Sequence, residues 1–265
     1  MENVRLKGLK EKWDRGEIAL STAMFYAAPL IAEQLGSMDF DMLWIDQEHT
    51  GHSPDTLYSL IQAVELTGKA SMVRVVDHEP ATVKPVLELA PDMIIFPMIN
   101  TAEEARAVVR ACQYPPRGIR GYGPIRAQRF GCVPMEEYLR DVDSCFWRVM
   151  QIESAEGVRN LEEILRVPGV DSIVVGPNDL SASLGLLGQY RHPEVLRLMD
   201  EIGDTCRRCR MPFGVSLGYD EENLRDWIRR GASWIAVSAD MGYLDAGARL
   251  MLNGTKELIN EAGKG

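Results

Sequence analysis

The sequence predicts an α/β protein folded as a single-domain (β/α)8 TIM barrel, and three features of the chain predict it. Short apolar, β-branched runs recur along the 265 residues, each followed by a segment with helical periodicity. The runs are apolar on both faces, as strands of a parallel sheet wrapped by helices must be. Eight such runs occur with no Pro/Ser-rich linker or composition break between them, so residues 1–265 read as one domain. A doubly wound open sheet is the competing architecture, weakened because no GxGxxG follows the first run.

The expected strands are Ile18–Met24, Met42–Asp46, Ser71–Val75, Met93–Met98, Arg148–Ile152, Ser172–Val175, Phe213–Leu217 and Trp234–Val237, all of strand length and too short for helices. Between them, Pro54–Thr67 reads as a helix that opens on Ser53 with Pro54 in its first turn. Pro80–Ala90 follows, then Ala102–Cys112 behind Thr101 with acidic residues in its first turn. Met135–Val142, Asn160–Arg166 and His192–Cys209 come next, then Asp220–Arg230, where Asp220 precedes Glu221 and Glu222. An amphipathic segment near Leu244–Asn260 ends the series. Tyr114–Pro134 is the longest stretch without clear periodicity, and long loops are often functional lids.

Composition narrows the function. A net charge of −10 gives the chain no basic field for phosphate backbones or anionic lipid, so neither nucleic acid nor membrane is an expected partner. The N-terminal residues alternate charges and lack the apolar core of a secretory signal, and no 18 consecutive residues are apolar; the protein is expected to be cytoplasmic. The five cysteines have no framework spacing, and the one CxxC, Cys206 and Cys209, sits in a helical stretch without a second pair or nearby His. Reduced, structural thiols follow.

In a parallel barrel the reacting groups stand at the C-terminal ends of strands. The second run ends in Asp46, Gln47, Glu48 and His49, the third carries Arg74, the fifth leads into Gln151 and Glu153, and the sixth into Gly176, Pro177, Asn178 and Asp179. Glu153 and Asp179 offer only oxygen ligands, which suits a hard divalent cation such as Mg²⁺ or Mn²⁺ with positions left for substrate; Co²⁺ or Zn²⁺ is not separated from these by the sequence. Each carboxylate alone reads more readily as an ion-pair partner of an arginine or a helix cap, but two at neighbouring strand ends read as a metal site. Arg74 can face the negative charge that grows on a 2-oxo acid. His49, near neutrality at pH 7, is suited to moving a proton, and Asp46 either orients it or caps the loop. His49 and His52 with Glu48 also have the spacing of a zinc site, although Thr50 and Gly51 argue for a loop. None of the seven lysines, Lys7, Lys10, Lys12, Lys69, Lys84, Lys256 and Lys264, ends a strand, so imine chemistry is disfavoured and a metal is left as electron sink.

Several blocks then resemble one family. WIDQEH at 44–49, FPMINTAEEAR at 96–106, YPPRGIRG at 114–121, QIES at 151–154, GPNDLSASLG at 176–185 and GQYRHPEV at 188–195 are similar, in order, to the HpcH/HpaI class II pyruvate aldolases. The resemblance spans about Leu20 to Asp240. It implies a (β/α)8 barrel that cleaves a 4-hydroxy-2-oxo acid to pyruvate, or a related 2-oxo acid, and an aldehyde. It implies further that Glu153 and Asp179 bind the metal, that Arg74 stabilises the enolate and His49 acts as base. Gln151 and the backbone at Gly176, Pro177 and Asn178 would hold the 2-oxo acid, and the aldehyde would meet Ala23, Phe25, Leu217 and the loop Tyr122–Arg129. A homohexamer, a trimer of dimers exchanging the C-terminal helix, is also implied. Three positions depart from the family's habit: Gln47 replaces a frequent glycine, Glu88 replaces an aspartate that assists the histidine, and Ala90-Pro91 replaces Gly-Ala. The alternatives are a citrate-synthase-like or acyl-ester lyase reaction on the same barrel, and a barrel that only binds a 2-oxo acid.

Overall fold

The computed structural model describes residues 2–262. Strands β1 (Ala19–Met24), β2 (Met42–Asp46), β3 (Ala70–Arg74), β4 (Met93–Phe96), β5 (Trp147–Ile152), β6 (Ser172–Val175), β7 (Phe213–Ser216) and β8 (Trp234–Ala239) close a parallel barrel in sequence order. All eight expected strands are present, displaced by no more than two residues at either end. The helices are α1 (Val4–Asp14), α2 (Pro29–Gly36), α3 (Pro54–Leu66), α4 (Pro80–Glu88), α5 (Ala102–Cys112), α6 (Met135–Asp141), α7 (Ala155–Arg159), α8 (Leu161–Leu165), α9 (Pro177–Ala182), α10 (Pro193–Cys209), α11 (Glu221–Arg230) and α12 (Asp240–Ala262). Among the described residues no helix is long and apolar enough to cross a membrane.

The local signals work as their chemistry requires. Ser53 Oγ accepts from the Thr56 amide at 3.2 Å, Thr101 and Glu104 complete a capping box, and Asp220 Oδ1 accepts from the Asn223 amide at 2.8 Å. Four helices escape the sequence reading. The short α2, α7 and α9 carry too few turns to show a period. The fourth, α1, is mostly polar, yet its Leu6 and Leu9 pack with the side chains inside the barrel and so cover its N-terminal end. Asp92, buried just ahead of β4, holds it there by accepting from Asn3 Nδ2 at 2.6 Å and from Arg5 Nε at 2.8 Å.

Strand alternation sorts the side chains. Met42, Trp44, Ala70, Met72, Met93, Ile95, Val149, Val174, Trp234 and Ala236 fill the interior, while Leu43, Ile45, Val73, Ile94, Met150, Ile173, Val215 and Ile235 face the helices. The inward phase reaches Asp46, Arg74 and Gln151 at the C-terminal strand ends. Register places Asp46 beside Arg74. Below them the Trp234 indole lies over Gly214 and donates to Ser172 Oγ at 3.2 Å.

The stretch expected as a lid lies at the other end of the barrel. It connects the C-terminus of α5 to α6, and its Arg120 and Arg126 pair with Glu88 at 2.9 Å and Glu65 at 2.6 Å, residues at the C-terminal ends of α4 and α3. Helix C-termini of a (β/α)8 barrel lead into strand beginnings, so this loop cannot cover the strand ends of its own chain. Ala90, which follows α4, takes a φ of 52°, a left-handed conformation in which glycine is unstrained.

A methyl group at residue 214 would stand 2.0 Å from the Trp234 ring. Gly214→Ala should therefore lower stability by about 1–3 kcal/mol or more through overpacking, read as a fall in the midpoint of urea unfolding. An unchanged midpoint would show that the indole can move aside.

Candidate active site

Arg74 organises one half of the barrel mouth. Its guanidinium is buried, stacks 5.0 Å from the Trp44 ring centroid, and pairs with Asp46 through Nη2 and, at 3.3 Å, through Nε. Nη1 lies 2.8 Å from Glu48 Oε2. Two carboxylates thus fix the plane of one guanidinium. Asp46 Oδ1 also accepts the amides of Glu48 at 2.8 Å and His49 at 3.2 Å, so the turn after β2 is folded around that carboxylate. Burial pushes the Glu48 carboxyl above its ordinary range, and the Arg74 charge opposes the shift. His49 has a largely exposed imidazole, with Nε2 3.8 Å from Glu48 Oε2.

The other half is built on β5 and β6. Glu153 is 4% exposed. Its Oε1 accepts from the Met98 amide at 2.8 Å, and its Oε2 from Gln151 Nε2. Met98 presents that amide from a φ of 58°, a costly conformation for a residue with a side chain, and one that clusters at functional sites. Burial raises the Glu153 carboxyl to about 7; the two hydrogen bonds pull it down, and the negative charges of Glu48 and Asp179 push it further up. Asp179 lies exposed in the first turn of α9. Gly176 leaves the approach open, because a Cβ there would stand 2.8 Å from Glu153 Oε2 and 3.3 Å from Gln151 Nε2. Gln151 Oε1 is buried without a hydrogen-bond partner.

This donor set fits a hard divalent cation. Two carboxylates, one of them desolvated and pressed by like charges, lack a positive partner, and a neighbouring amide oxygen is unbonded. Among the described residues no three His, Cys, Asp or Glu side chains are arranged to enclose a metal by themselves. A cation held by the pair would keep coordination positions for water or substrate. The zinc reading of His49 and His52 finds no such cluster either: burial leaves His52 Nε2 without a partner and lowers the imidazole's proton affinity.

The structure brings Asp46, Arg74, Gln151, Glu153, Gly176 and Asp179 to one rim, with Pro177, Asn178 and Leu217 lining an adjoining cavity. Glu88 is not there. It ends α4 at the opposite rim and pairs with Arg120, because a residue just ahead of β4 cannot reach the end of β2 in the same chain. Asp46 does not bond the His49 imidazole either; it holds the backbone of that residue and pairs with Arg74. Sequence reasoning gave Glu48 no part with Arg74 and missed the Met98 amide. The first was legible as an acid two residues beyond a strand's inward carboxylate, whereas the second depends on a backbone angle no residue type announces. Lys69 lies ahead of β3 and Lys84 on α4, away from the mouth, while Lys264 lies outside the described residues. No disulfide joins cysteines among the described residues, and burial pushes the Cys206 thiol well above its ordinary range, which disfavours the reactive thiolate.

Fold and site together define a barrel enzyme whose mouth carries two acidic side chains, Glu153 and Asp179, and a clamped arginine. The chain belongs to the HpcH/HpaI aldolase/citrate lyase family, whose sequence profile matches residues 23–245. It is 34% identical to the 2-dehydro-3,6-dideoxy-6-sulfogluconate aldolase of Pseudomonas putida over 239 residues, 90% of this chain and 92% of that one. With the hydroxypyruvate/pyruvate aldolase of Chromohalobacter salexigens it shares 37% identity over 221 residues, 83% and 86% of the two chains. The crystal structure of an HpcH/HpaI aldolase/citrate lyase family protein from Burkholderia cenocepacia J2315 matches with a TM-score of 0.88 at 32% identity, covering 94% of this chain and 99% of that one. The protein is an aldolase, a carbon–carbon lyase acting on small molecules, in a family of divalent-metal-dependent class II enzymes.

A cation at Glu153 must displace a proton whenever the pH lies below about 7. Apparent Mn²⁺ affinity should fall by about tenfold per pH unit below that value and level off above it, measured by calorimetric titration between pH 5.5 and 8.5. The metal-free protein carries the opposite sign. The folded state holds this proton more tightly than the unfolded one, so stability declines as pH rises from the ordinary carboxyl value to about 7, and Glu153→Gln should remove that decline.

Proposed function

We propose that the protein cleaves a 4-hydroxy-2-oxo acid to pyruvate, or a closely related 2-oxo acid, and an aldehyde, using Mg²⁺ or Mn²⁺ held by Glu153 and Asp179. The observation that carries this reading is the buried Glu153 carboxylate, raised by burial and by its acidic neighbours, within one barrel mouth with the clamped Arg74. The bound ion supplies Lewis acidity at the ketone oxygen.

The chain's own groups do the rest. Gln151 and the backbone at Gly176 to Asn178 hold the 2-oxo acid end, where the missing Cβ of Gly176 leaves room for it. Arg74 cannot turn away, since Asp46 and Glu48 grip it from two sides, and it faces the negative charge that collects on the ketone oxygen. His49 takes the proton of the 4-hydroxyl. The O–H electrons form the aldehyde C=O, the C3–C4 bond breaks, and its pair moves into the enolate. Glu48, beside both His49 and Arg74, is placed to stabilise the imidazolium that results. The aldehyde leaves past Leu217. Five cysteines without framework spacing and a small soluble substrate fit an enzyme that works in the cytoplasm.

The assembly we infer is a homohexamer, a trimer of dimers. Along α12 Leu244, Leu250, Met251, Leu252, Leu258 and Ile259 are all more than half exposed, and Asp240 is its one buried residue. A helix of 23 residues with that much apolar surface calls for a second copy. Glu88 and the loop 114–134, remote from the mouth of their own chain, would assist His49 only if a neighbouring copy presented that rim.

Replacing Glu153 or Asp179 by alanine should abolish metal-dependent pyruvate release from a 4-hydroxy-2-oxo acid, followed with a lactate dehydrogenase couple; full turnover in excess chelator would refute the proposal. His49→Ala should lower kcat by about two to four powers of ten with little change in KM. Arg74→Lys, which keeps charge but loses the two-sided grip, should be impaired nearly as much as Arg74→Ala. Charged substitutions at Leu250 and Leu258 should split the assembly, and an unchanged mass in light scattering would remove α12 from the interface.

A further inference from the structure

Beside the mouth, a cavity of about 280 Å³ opens between α10 and α11. Pro177 and Asn178, which immediately precede the proposed metal ligand Asp179, line it, as do Ser216 and Leu217 where β7 ends. The cavity therefore borders the chain segment that leads into Asp179 and runs outward between two helices. We propose that it receives the far end of the aldehyde and selects a neutral, polyhydroxylated chain. The proposal rests on the aldolase reading of the site.

The lining argues for the ligand. Tyr219, on the lining and largely exposed, offers an aromatic face against which the C–H edges of a hydroxylated chain can lie. Asn223 is pre-oriented: its Oδ1 accepts from Arg191 Nη1 at 2.7 Å, which leaves the amide hydrogens as donors. Asp220 Oδ1 is taken up by the Asn223 amide, and its other oxygen remains an acceptor. Donors and acceptors thus stand together, as hydroxyl groups require.

Charge decides against an acidic tail. The guanidinium lining the cavity, Arg230, is 8% exposed and already bound through Nε to Asp200 at 2.8 Å. Arg191, bonded to the lining Asn223, pairs with Glu222 and approaches Asp226 at 3.8 Å. Both cations are matched, and Asp220 adds a carboxylate, so among the described residues the lining offers a tail ending in carboxylate or sulfonate no unmatched cation. Size limits the choice further. At about 280 Å³ the cavity lies at the low end of small-molecule sites, which is room for a short chain and not for a nucleotide-bearing thioester.

The test adds pyruvate and Mn²⁺ to the whole enzyme with three acceptors: glycolaldehyde, too short to enter the cavity, erythrose as the hydroxylated tail, and succinic semialdehyde as the acidic one. Deuterium exchange into the pyruvate methyl group, measured without any aldehyde, reports the enolate chemistry alone. The wild type should favour erythrose over succinic semialdehyde in kcat/KM. Asn223→Ala and Tyr219→Ala should each lower kcat/KM for erythrose by about five- to tenfold. Glycolaldehyde turnover and deuterium exchange should stay within about twofold. Tyr219 is 75% exposed and alanine suits the first turn of α11, so neither change threatens folding. A preference for succinic semialdehyde, or equal losses on erythrose and glycolaldehyde with exchange intact, overturns the proposal. Absence of exchange in the wild type would instead overturn the aldolase reading, and the proposal with it.

Discussion

One carboxylate is held out of water next to two others, and much of the mouth can be understood as a response to that. Glu153 receives two hydrogen bonds, from a backbone amide and from Gln151, which favour its charged form but do not fully offset burial beside Glu48 and Asp179. The fold spends a strained Met98 backbone on supplying one of those bonds. Gly176 keeps the space in front of it clear. A site arranged in this way is stable only in company with a proton or a cation, and that conditional charge is what an electrophilic catalyst needs.

Arg74 answers the opposite problem. A guanidinium at the end of a strand, covered on one side by an indole, must be compensated, and Asp46 and Glu48 do so from two directions. The arrangement fixes a cation without using up its ability to face an anion. Because Asp46 also folds the turn that carries His49, the positions of the imidazole and of the guanidinium are set by the same side chain.

The barrel was legible because eight apolar runs can be buried on both faces in few other ways, and their inward phase placed Asp46, Arg74 and Gln151 on one rim. Counting strands also fixes which rim each connection occupies. Applied to Tyr114–Pro134, that rule alone would have moved the loop and Glu88 to the far end, as Arg120 and Arg126 show. What period and composition do not carry is backbone conformation outside the elements. The left-handed Met98 is one such case, and α1, polar along most of its length, is another, since two leucines suffice to seat it.

That seating bears on the order of assembly. The partners of Asn3 and Arg5 at Asp92 lie 89 and 87 residues further along, Asn3 also reaches the carbonyl of Cys145, and the interior layer that Leu6 and Leu9 join includes Trp234. This helix, which precedes every strand in the chain, has nowhere to dock until nearly the whole barrel has been synthesised. It acts as a stopper fitted last, so the lower end of the barrel stays wet through most of folding, and closure by α1 reports that the eight-strand ring is complete.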